Sequence, residues 1–101
     1  MLNNKYIEIF IDEIIEEKGF DTSKEDYINK VRHSIEDAIS DTIDTAILTN
    51  LPEDKLADFE NLLDQEATDD QIDSFIKTNI PNIDFVIGQA LAEFKDIYLN
   101  N

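Results

Sequence analysis

The sequence predicts an all-α protein, a compact bundle of four to five helices with mostly antiparallel neighbours. Apolar residues recur at spacings of three and four along nearly the whole chain, which is the period of an amphipathic helix. Glycine and proline number only two each among 101 residues, so few positions interrupt regular structure. The apolar stripes are joined by short connections, which favour antiparallel packing of successive helices. The length suits one domain, residues 1–101.

The first predicted helix covers residues 4–18 and ends at Gly19, since glycine readily adopts the left-handed conformation that follows a helix. At ~100° per residue, its apolar residues cover an arc of about 240°. A surface helix needs a much narrower arc, so this helix is central or presents a second apolar surface. The apolar residues are Tyr6, Ile7, Ile9, Phe10, Ile11, Ile14 and Ile15.

The second predicted helix begins at a capping box formed by Thr22 and Glu25, in which each side chain bonds the other residue's backbone N–H. It runs to about Thr49 and is the longest element, ~38 Å by helical rise. Its apolar stripe contains Ile28, Val31, Ile35, Ala38, Ile39, Ile43, Ala46 and Ile47.

Three shorter elements complete the predicted bundle. Pro52 suits the first position of a third helix over residues 52–65, with Leu56, Phe59, Leu62 and Leu63 directed inward. Thr68 and Gln71 form a second capping box, which opens a fourth helix over residues 69–78. A fifth helix covers residues 81–99, and its inward stripe contains Ile83, Val86, Ile87, Ala90, Leu91, Phe94, Ile97 and Tyr98.

Residues that carry chemistry are scarce. The chain has no cysteine and one histidine, His33, so a zinc site would need several carboxylates, which is uncommon. Helical di-iron sites use Glu-x-x-His pairs, but Lys30 stands three positions before the histidine. Gly19 and Gly88 are too far apart for a phosphate-binding loop. We therefore expect a protein that is not an enzyme, with no catalytic, metal or cofactor-binding residues.

The charge of the chain limits its partners. Acids outnumber bases 24 to 8, for a formal charge of −16, which repels nucleic acid and anionic membranes. We therefore expect no direct nucleic-acid or membrane partner, whereas a basic protein is attracted. No apolar run reaches the ~18 residues of a membrane span. The N-terminus lacks the basic and apolar regions of a signal peptide, so a cytoplasmic location is expected.

The acids are concentrated in residues 52–76, where Lys55 is the one base. Carboxylates one helical turn apart lie ~6 Å from each other, a distance comparable with phosphate spacing along a nucleic-acid strand. A solvated helical face is the simpler interpretation. The candidate partner-binding residues, called the acidic surface below, are Glu53, Asp54, Asp58, Glu60, Asp64, Asp69, Asp70 and Asp73.

A candidate apolar interface combines surplus apolar residues of the first helix, Tyr6 and Ile9, with Phe85 at the edge of the fifth stripe. Exposed apolar patches of this kind mark interfaces. The leading hypothesis is a non-enzymatic helical protein–protein interaction module that binds a partner or a second copy of itself. The alternative is an acidic nucleic-acid-mimicking inhibitor that binds a basic protein.

Several motifs stand in order along the second half: Leu51-Pro52-Glu53, Phe59-Glu60-Asn61-Leu62-Leu63, Asp73-Ser74-Phe75-Ile76, Ile80-Pro81-Asn82 and Ala92-Glu93-Phe94-Lys95. Their order and spacing resemble a family of short, acidic, helical bacterial domains of unknown function, common in uncultivated small-genome phyla. The resemblance covers about residues 50–98, and the first half matches it loosely as helix, glycine turn and long helix. It implies a helical fold and transfers no site, because the family has no assigned activity.

Overall fold

The computed structural model describes residues 4–100, which form five α-helices and contain no strand. This confirms the predicted all-α bundle. A single 3-10 turn, Glu53–Lys55, precedes the third helix. The helices are α1 (Asn4–Lys18), α2 (Glu25–Asn50), α3 (Leu56–Asp64), α4 (Asp69–Asn79) and α5 (Ile83–Leu99).

The first helix ends as predicted. Gly19 has a φ of 78°, a left-handed conformation that costs glycine little. Its N–H donates to the carbonyl of Glu16 at 3.2 Å, and the N–H of Phe20 donates to that of Ile15 at 3.4 Å. These two bonds form a Schellman motif, which satisfies carbonyls that the helix end leaves unpaired.

The predicted capping box at the start of the second helix is wrong. The helix begins at Glu25, its N-cap is Lys24, and that cap accepts no side-chain hydrogen bond. The preceding residues form a turn held by Asp21, whose Oδ1 accepts from the backbone N–H of Ser23 at 3.0 Å and from its hydroxyl at 2.6 Å. This local turn competes with a helical start at Thr22.

The proline predictions also need correction, because both helices begin later than expected. Pro52 has an extended backbone (φ −56°, ψ 141°) and precedes the 3-10 turn instead of opening α3. Pro81 lies in the turn between α4 and α5, where the N–H of Ile83 donates to the carbonyl of Ile80 at 3.0 Å. In both cases proline excludes the helix from the preceding residue, and the helix starts only after a short turn.

The capping box at the start of α4 is confirmed. The hydroxyl of Thr68 accepts from the N–H of Gln71 at 3.2 Å, and the Gln71 side-chain oxygen accepts from the N–H of Thr68 at 2.9 Å. Each side chain thus pairs a backbone donor that the first helical turn would leave free.

We expect Thr68→Ala to lower the free energy of unfolding by about 1 kcal/mol, the usual cost of losing an N-cap side chain. Chemical denaturation followed by circular dichroism measures this change. Thr22→Ala is the matched control, because Thr22 caps no helix, and it should change stability by less than about 0.5 kcal/mol. Equal effects at the two positions would contradict the capping role of Thr68.

The three long helices form the body of the molecule. Arg32 of α2 donates to Asp12 of α1 at 2.6 Å, and farther along Ile43 lies near Ile7, so α1 and α2 are antiparallel. α2 and α5 are also antiparallel, since the end of α2 lies beside the start of α5. α1 and α5 therefore run in the same direction, with the rings of Phe10 and Phe94 6.5 Å apart.

The core is dominated by isoleucine. Ile14 is completely buried, and its neighbours Ile11 and Ile15 are nearly so, which places the centre of the wide α1 arc against both long helices. Two predicted inward residues are instead half exposed or more: Leu63 at 50% and Ile97 at 61%. The other buried members are Ile35, Ile39, Ala46, Ile47, Leu51, Phe59, Ile76, Ile80, Ile83, Ile87 and Leu91.

The two short helices form a hairpin that joins the end of α2 to the start of α5. Its rings of Phe59 and Phe75 stack with centroids 5.9 Å apart. The turn within it places Glu66 at a φ of 54°, and the N–H of Ala67 donates to the carbonyl of Leu62 at 3.1 Å. This is again a Schellman arrangement, with glutamate at the position that usually holds glycine.

The long helices give the molecule an elongated shape. Its principal extents are 47 × 26 × 19 Å and its radius of gyration is 15.5 Å, whereas a compact domain of this length has ~13 Å. The cause is the 26-residue helix α2, which spans about 39 Å. Elongation leaves long side faces on the bundle, and these faces contain the surfaces described next.

Candidate interaction surfaces

The three residues of the candidate apolar interface are all exposed. Tyr6 is 48% exposed, Ile9 51% and Phe85 63%. They share this property with Leu48, Leu63, Ile97 and Tyr27. Scattered apolar residues are ordinary on a protein surface, so the positions of these three decide whether they form one patch.

The pairing of α1 with α5 places these three residues toward one end of the two helices. Lys95 of α5 lies 3.5 Å from Glu13 of α1. By helical rise, Tyr6 lies about 10 Å before Glu13, and Phe85 lies about 15 Å before Lys95. Because the two helices run in the same direction, both residues lie on the same side of this ion pair along the bundle. Ile9 lies one turn after Tyr6 on α1. We call Tyr6, Ile9 and Phe85 the α1–α5 patch, a name for exposed apolar residues in the first parts of these two helices and not for side chains in contact.

The ion pairs of Lys95 show how α5 is rotated against α1. Lys95 bridges two acids of α1, with Nζ 3.2 Å from Glu17 and 3.5 Å from Glu13. The hydrogen bond that Lys95 donates to Glu17 is the main cause that raises the pKa of Lys95, and the charges of Glu17 and Glu13 add to it. At the end of the pair, Lys18 donates to the backbone carbonyl of Tyr98 at 3.2 Å. The basic side chain of α5 is therefore directed toward α1.

The pKa values of two other side chains, Asp21 and Tyr98, are shifted by their immediate surroundings. The side-chain and backbone hydrogen bonds from Ser23 lower the pKa of Asp21, because they stabilise its charged form. Partial burial raises the pKa of the Tyr98 hydroxyl. Both residues belong to structural contacts, the turn before α2 and the packing of the α5 end, and neither lies in the α1–α5 patch or the acidic surface.

Most members of the acidic surface are solvent-exposed, and Asp73 is partly buried. Asp69 and Asp70 lie in the first turn of α4 as predicted, but Glu53 and Asp54 lie in the 3-10 turn and not in α3. Their carboxylates do not form one row, because at ~100° per residue the acids of α3 flank its apolar stripe on both sides. The structure therefore presents a broad acidic region around the hairpin.

A groove between α2 and α5 is a surface that the sequence analysis missed. Thr42, Thr45 and Ala46 of α2 face Ala90, Phe94 and Ile97 of α5, and Asp41 and Glu93 lie at its edges. The groove continues past Ala46 and Ala90 toward the end of α2 and the start of α5. Its lining there includes Thr49, Asn50, Val86 and Gln89.

Small side chains create this groove. Ala46 and Ala90 belong to the predicted inward stripes of α2 and α5, whereas Thr42 and Thr45 belong to neither stripe. On adjacent antiparallel helices, small residues at facing positions leave a depression that larger residues would fill. The sequence contains these small residues, but only the structure shows that Thr45 and Ala46 lie opposite Ala90.

The side chains that could bind a metal are dispersed in the described part of the chain. His33 is exposed and its Nδ1 lies 3.7 Å from Glu36, one turn along α2. Among residues 4–100, no three histidine, aspartate or glutamate side chains converge as a metal site would require. Over the same residues, no helix is both long enough and apolar enough to cross a membrane.

Comparison with known protein families gives a match, over residues 14–98, to a family described as a protein of unknown function, DUF5663. The chain belongs to the DUF5663 family. The DUF5663 match starts within α1 and includes all of α2, so it reaches well before residue 50, where the resemblance noted in the sequence begins. No curated protein and no solved structure is significantly similar to the chain.

Proposed function

We propose that this chain is a non-enzymatic helical module for protein–protein interaction, and that the α1–α5 patch mediates association with a second copy. The observation that carries the proposal is the exposure of three large apolar side chains, Tyr6, Ile9 and Phe85, along one helix pair. Burying such side chains stabilises an assembly by about 25 cal/mol per Å² of apolar surface. We place this module in the cytoplasm of a bacterial cell.

Salt concentration provides a signature of this association. Each copy has a formal charge of −16, so two copies repel each other, and salt screens that repulsion over a distance of about 10 Å at 0.1 M. Self-association through apolar residues should therefore become stronger as salt rises. Association driven by opposite charges would show the reverse dependence.

The test is sedimentation equilibrium at micromolar concentrations in low and physiological salt. We expect a dimer whose population rises with salt, and we expect Ile9→Gln with Phe85→Gln to weaken it about tenfold or more. Leu48→Gln with Leu63→Gln is the matched control, because both leucines are about half exposed and lie outside the patch. A monomer under all these conditions, or equal loss in the control, would rule out the patch as a self-association surface.

The acidic surface supports a second candidate, an inhibitor that imitates nucleic acid and occupies a basic protein. The supporting observation is that most acids of residues 53–73 are exposed, with Lys55 as the one base within that range, 4.0 Å from Asp58. Binding of this kind is tight and weakens steeply with salt. The test neutralises four acids and measures binding to a basic partner. Unchanged binding would contradict the nucleic-acid-mimicking inhibitor. The four acids are Asp58, Glu60, Asp69 and Asp73.

A further inference from the structure

We propose that the groove between α2 and α5 binds a cationic amphipathic helix of a different protein. The inference rests on the proposed interaction function and names the partner class. The groove lies on a different face from the α1–α5 patch, so an experiment can reject one of the two proposals without the other.

The shape of the groove suits a helix. Its lining on α5 extends from Val86 to Ile97, which corresponds to about 17 Å of helical rise, or three turns. The small residues Thr45, Ala46 and Ala90 form its middle, where a third backbone can approach closely. Ile97 is 61% exposed at one end and offers an apolar anchor. Helices bind such grooves through apolar residues spaced three and four apart.

The charges around the groove select the partner. Asp41 and Glu93, the charged residues that line its described part, are both acidic. After Arg32, α2 contains no lysine or arginine up to its end at Asn50, but it does contain Asp37, Asp41 and Asp44. A helix with lysine or arginine beside its apolar stripe would place cations next to Asp41 and Glu93, the two acids that line the groove.

The one basic residue of α5 does not offset these acids. Lys95 is directed toward α1, where it bridges Glu13 and Glu17. At ~100° per residue, Ile97 is displaced by about 160° around the helix from Lys95, so the lysine and the groove lie on different sides of α5. Lys18 lines a depression next to the Ile97 end of the groove, where it donates to the backbone carbonyl of Tyr98. Asp41 and Glu93 are the charged residues of the groove lining itself, so a second copy with the same acids would be repelled from it.

The test uses a synthetic helical peptide of about 18 residues with leucine and alanine on one face and lysine on the flanks. Fluorescence anisotropy measures its binding to the full chain. A second peptide has the same apolar face and glutamate in place of lysine. We expect binding of the lysine peptide at low salt, weaker binding as salt rises, and at least tenfold weaker binding of the glutamate peptide.

Variants of the chain locate the binding. The double variant Asp41→Lys with Glu93→Lys should bind the lysine peptide about tenfold more weakly, or weaker still. The matched control, Glu60→Lys with Asp70→Lys, changes the net charge equally within the acidic surface and should weaken it less than about threefold. Ile97→Gln should also weaken binding, whereas Leu48→Gln, on α2 outside the groove lining, should not. Circular dichroism melting verifies that each variant is folded.

Each contrary result overturns the inference. Equal loss in the two charge-reversed variants would mean diffuse attraction to an acidic protein, and a larger loss in the control would assign binding to the acidic surface. Equal binding of the two peptides would remove the charge argument. Absence of binding would reject the groove while leaving salt-strengthened self-association intact, and a monomer that binds the peptide would reject the α1–α5 patch alone.

Discussion

Replacing Ile14 by alanine is expected to lower the free energy of unfolding by about 2–5 kcal/mol, because it leaves a cavity at a fully buried site. Ile14 has no exposed surface and lies on the α1 face that packs against α2 and α5. Alanine favours the helix by less than about 0.7 kcal/mol relative to isoleucine, which does not offset the lost packing. For a domain with about 5–15 kcal/mol of total stability, this is the largest single effect expected in α1.

Ile9→Ala provides an exacting comparison, since it makes the same chemical change in the same helix. Ile9 is 51% exposed, so its truncation should change stability by less than about 1 kcal/mol. Urea denaturation of both variants at low protein concentration, where self-association does not contribute, measures the difference. Similar losses at the two positions would contradict the burial of one side of α1 and the exposure of the other.

These two isoleucines also show what periodicity can predict. The wide apolar arc of α1 indicates correctly that the helix has more apolar surface than one contact needs, and the structure divides that arc between a buried and an exposed side. Periodicity does not predict where the division falls, because this depends on which neighbours pack there. Phe85 was placed at the edge of its stripe and is 63% exposed, whereas Ile97 was placed within it and is exposed almost equally.

Helix boundaries were predictable where one local interaction had no competitor. Thr68 and Gln71 form the expected reciprocal hydrogen bonds, and Gly19 has the expected left-handed backbone. At Thr22 the same spacing failed, because the neighbouring Asp21 holds Ser23 in a turn. At Glu66 no glycine marked the helix end, although the backbone adopts the same conformation.

The candidate surfaces differ in how far the sequence could indicate them. The acidic surface is visible from composition, since charged residues are nearly always exposed. The groove requires knowledge of which residues of α2 face which residues of α5, and that register is set by packing over the whole length of both helices. Small residues on one helix indicate nothing until small residues on its neighbour are shown to face them.

The hairpin of α3 and α4 has a different relation to the bundle from the long helices. Its two helices pack against each other, and its links to the rest include the buried residues Phe59, Ile76 and Ile80. Phe59 stacks on Phe75 within the hairpin, and it belongs to the same core as Ile83 and Ile87 of α5. The ring of Phe59 therefore stabilises both the hairpin itself and its packing against α5.

We therefore expect Phe59→Ala to cost about 3–5 kcal/mol, the usual range for a buried phenylalanine, and to release the hairpin first. Hydrogen exchange followed by mass spectrometry should show the amides of α3 and α4 losing protection while those of α1, α2 and α5 keep most of theirs. Such a difference is expected because Ile14, Ile39 and Leu91 still hold the three long helices together.

Leu63→Ala is the control for this prediction, because Leu63 lies on the same helix and is half exposed. It should leave the exchange pattern unchanged and cost less than about 1 kcal/mol. A uniform loss of protection in Phe59→Ala would mean that the chain unfolds as one cooperative unit. In that case the hairpin would be an integral part of the core, and the charge-reversed variants at Glu60 and Asp70 would need their folding measured with equal care.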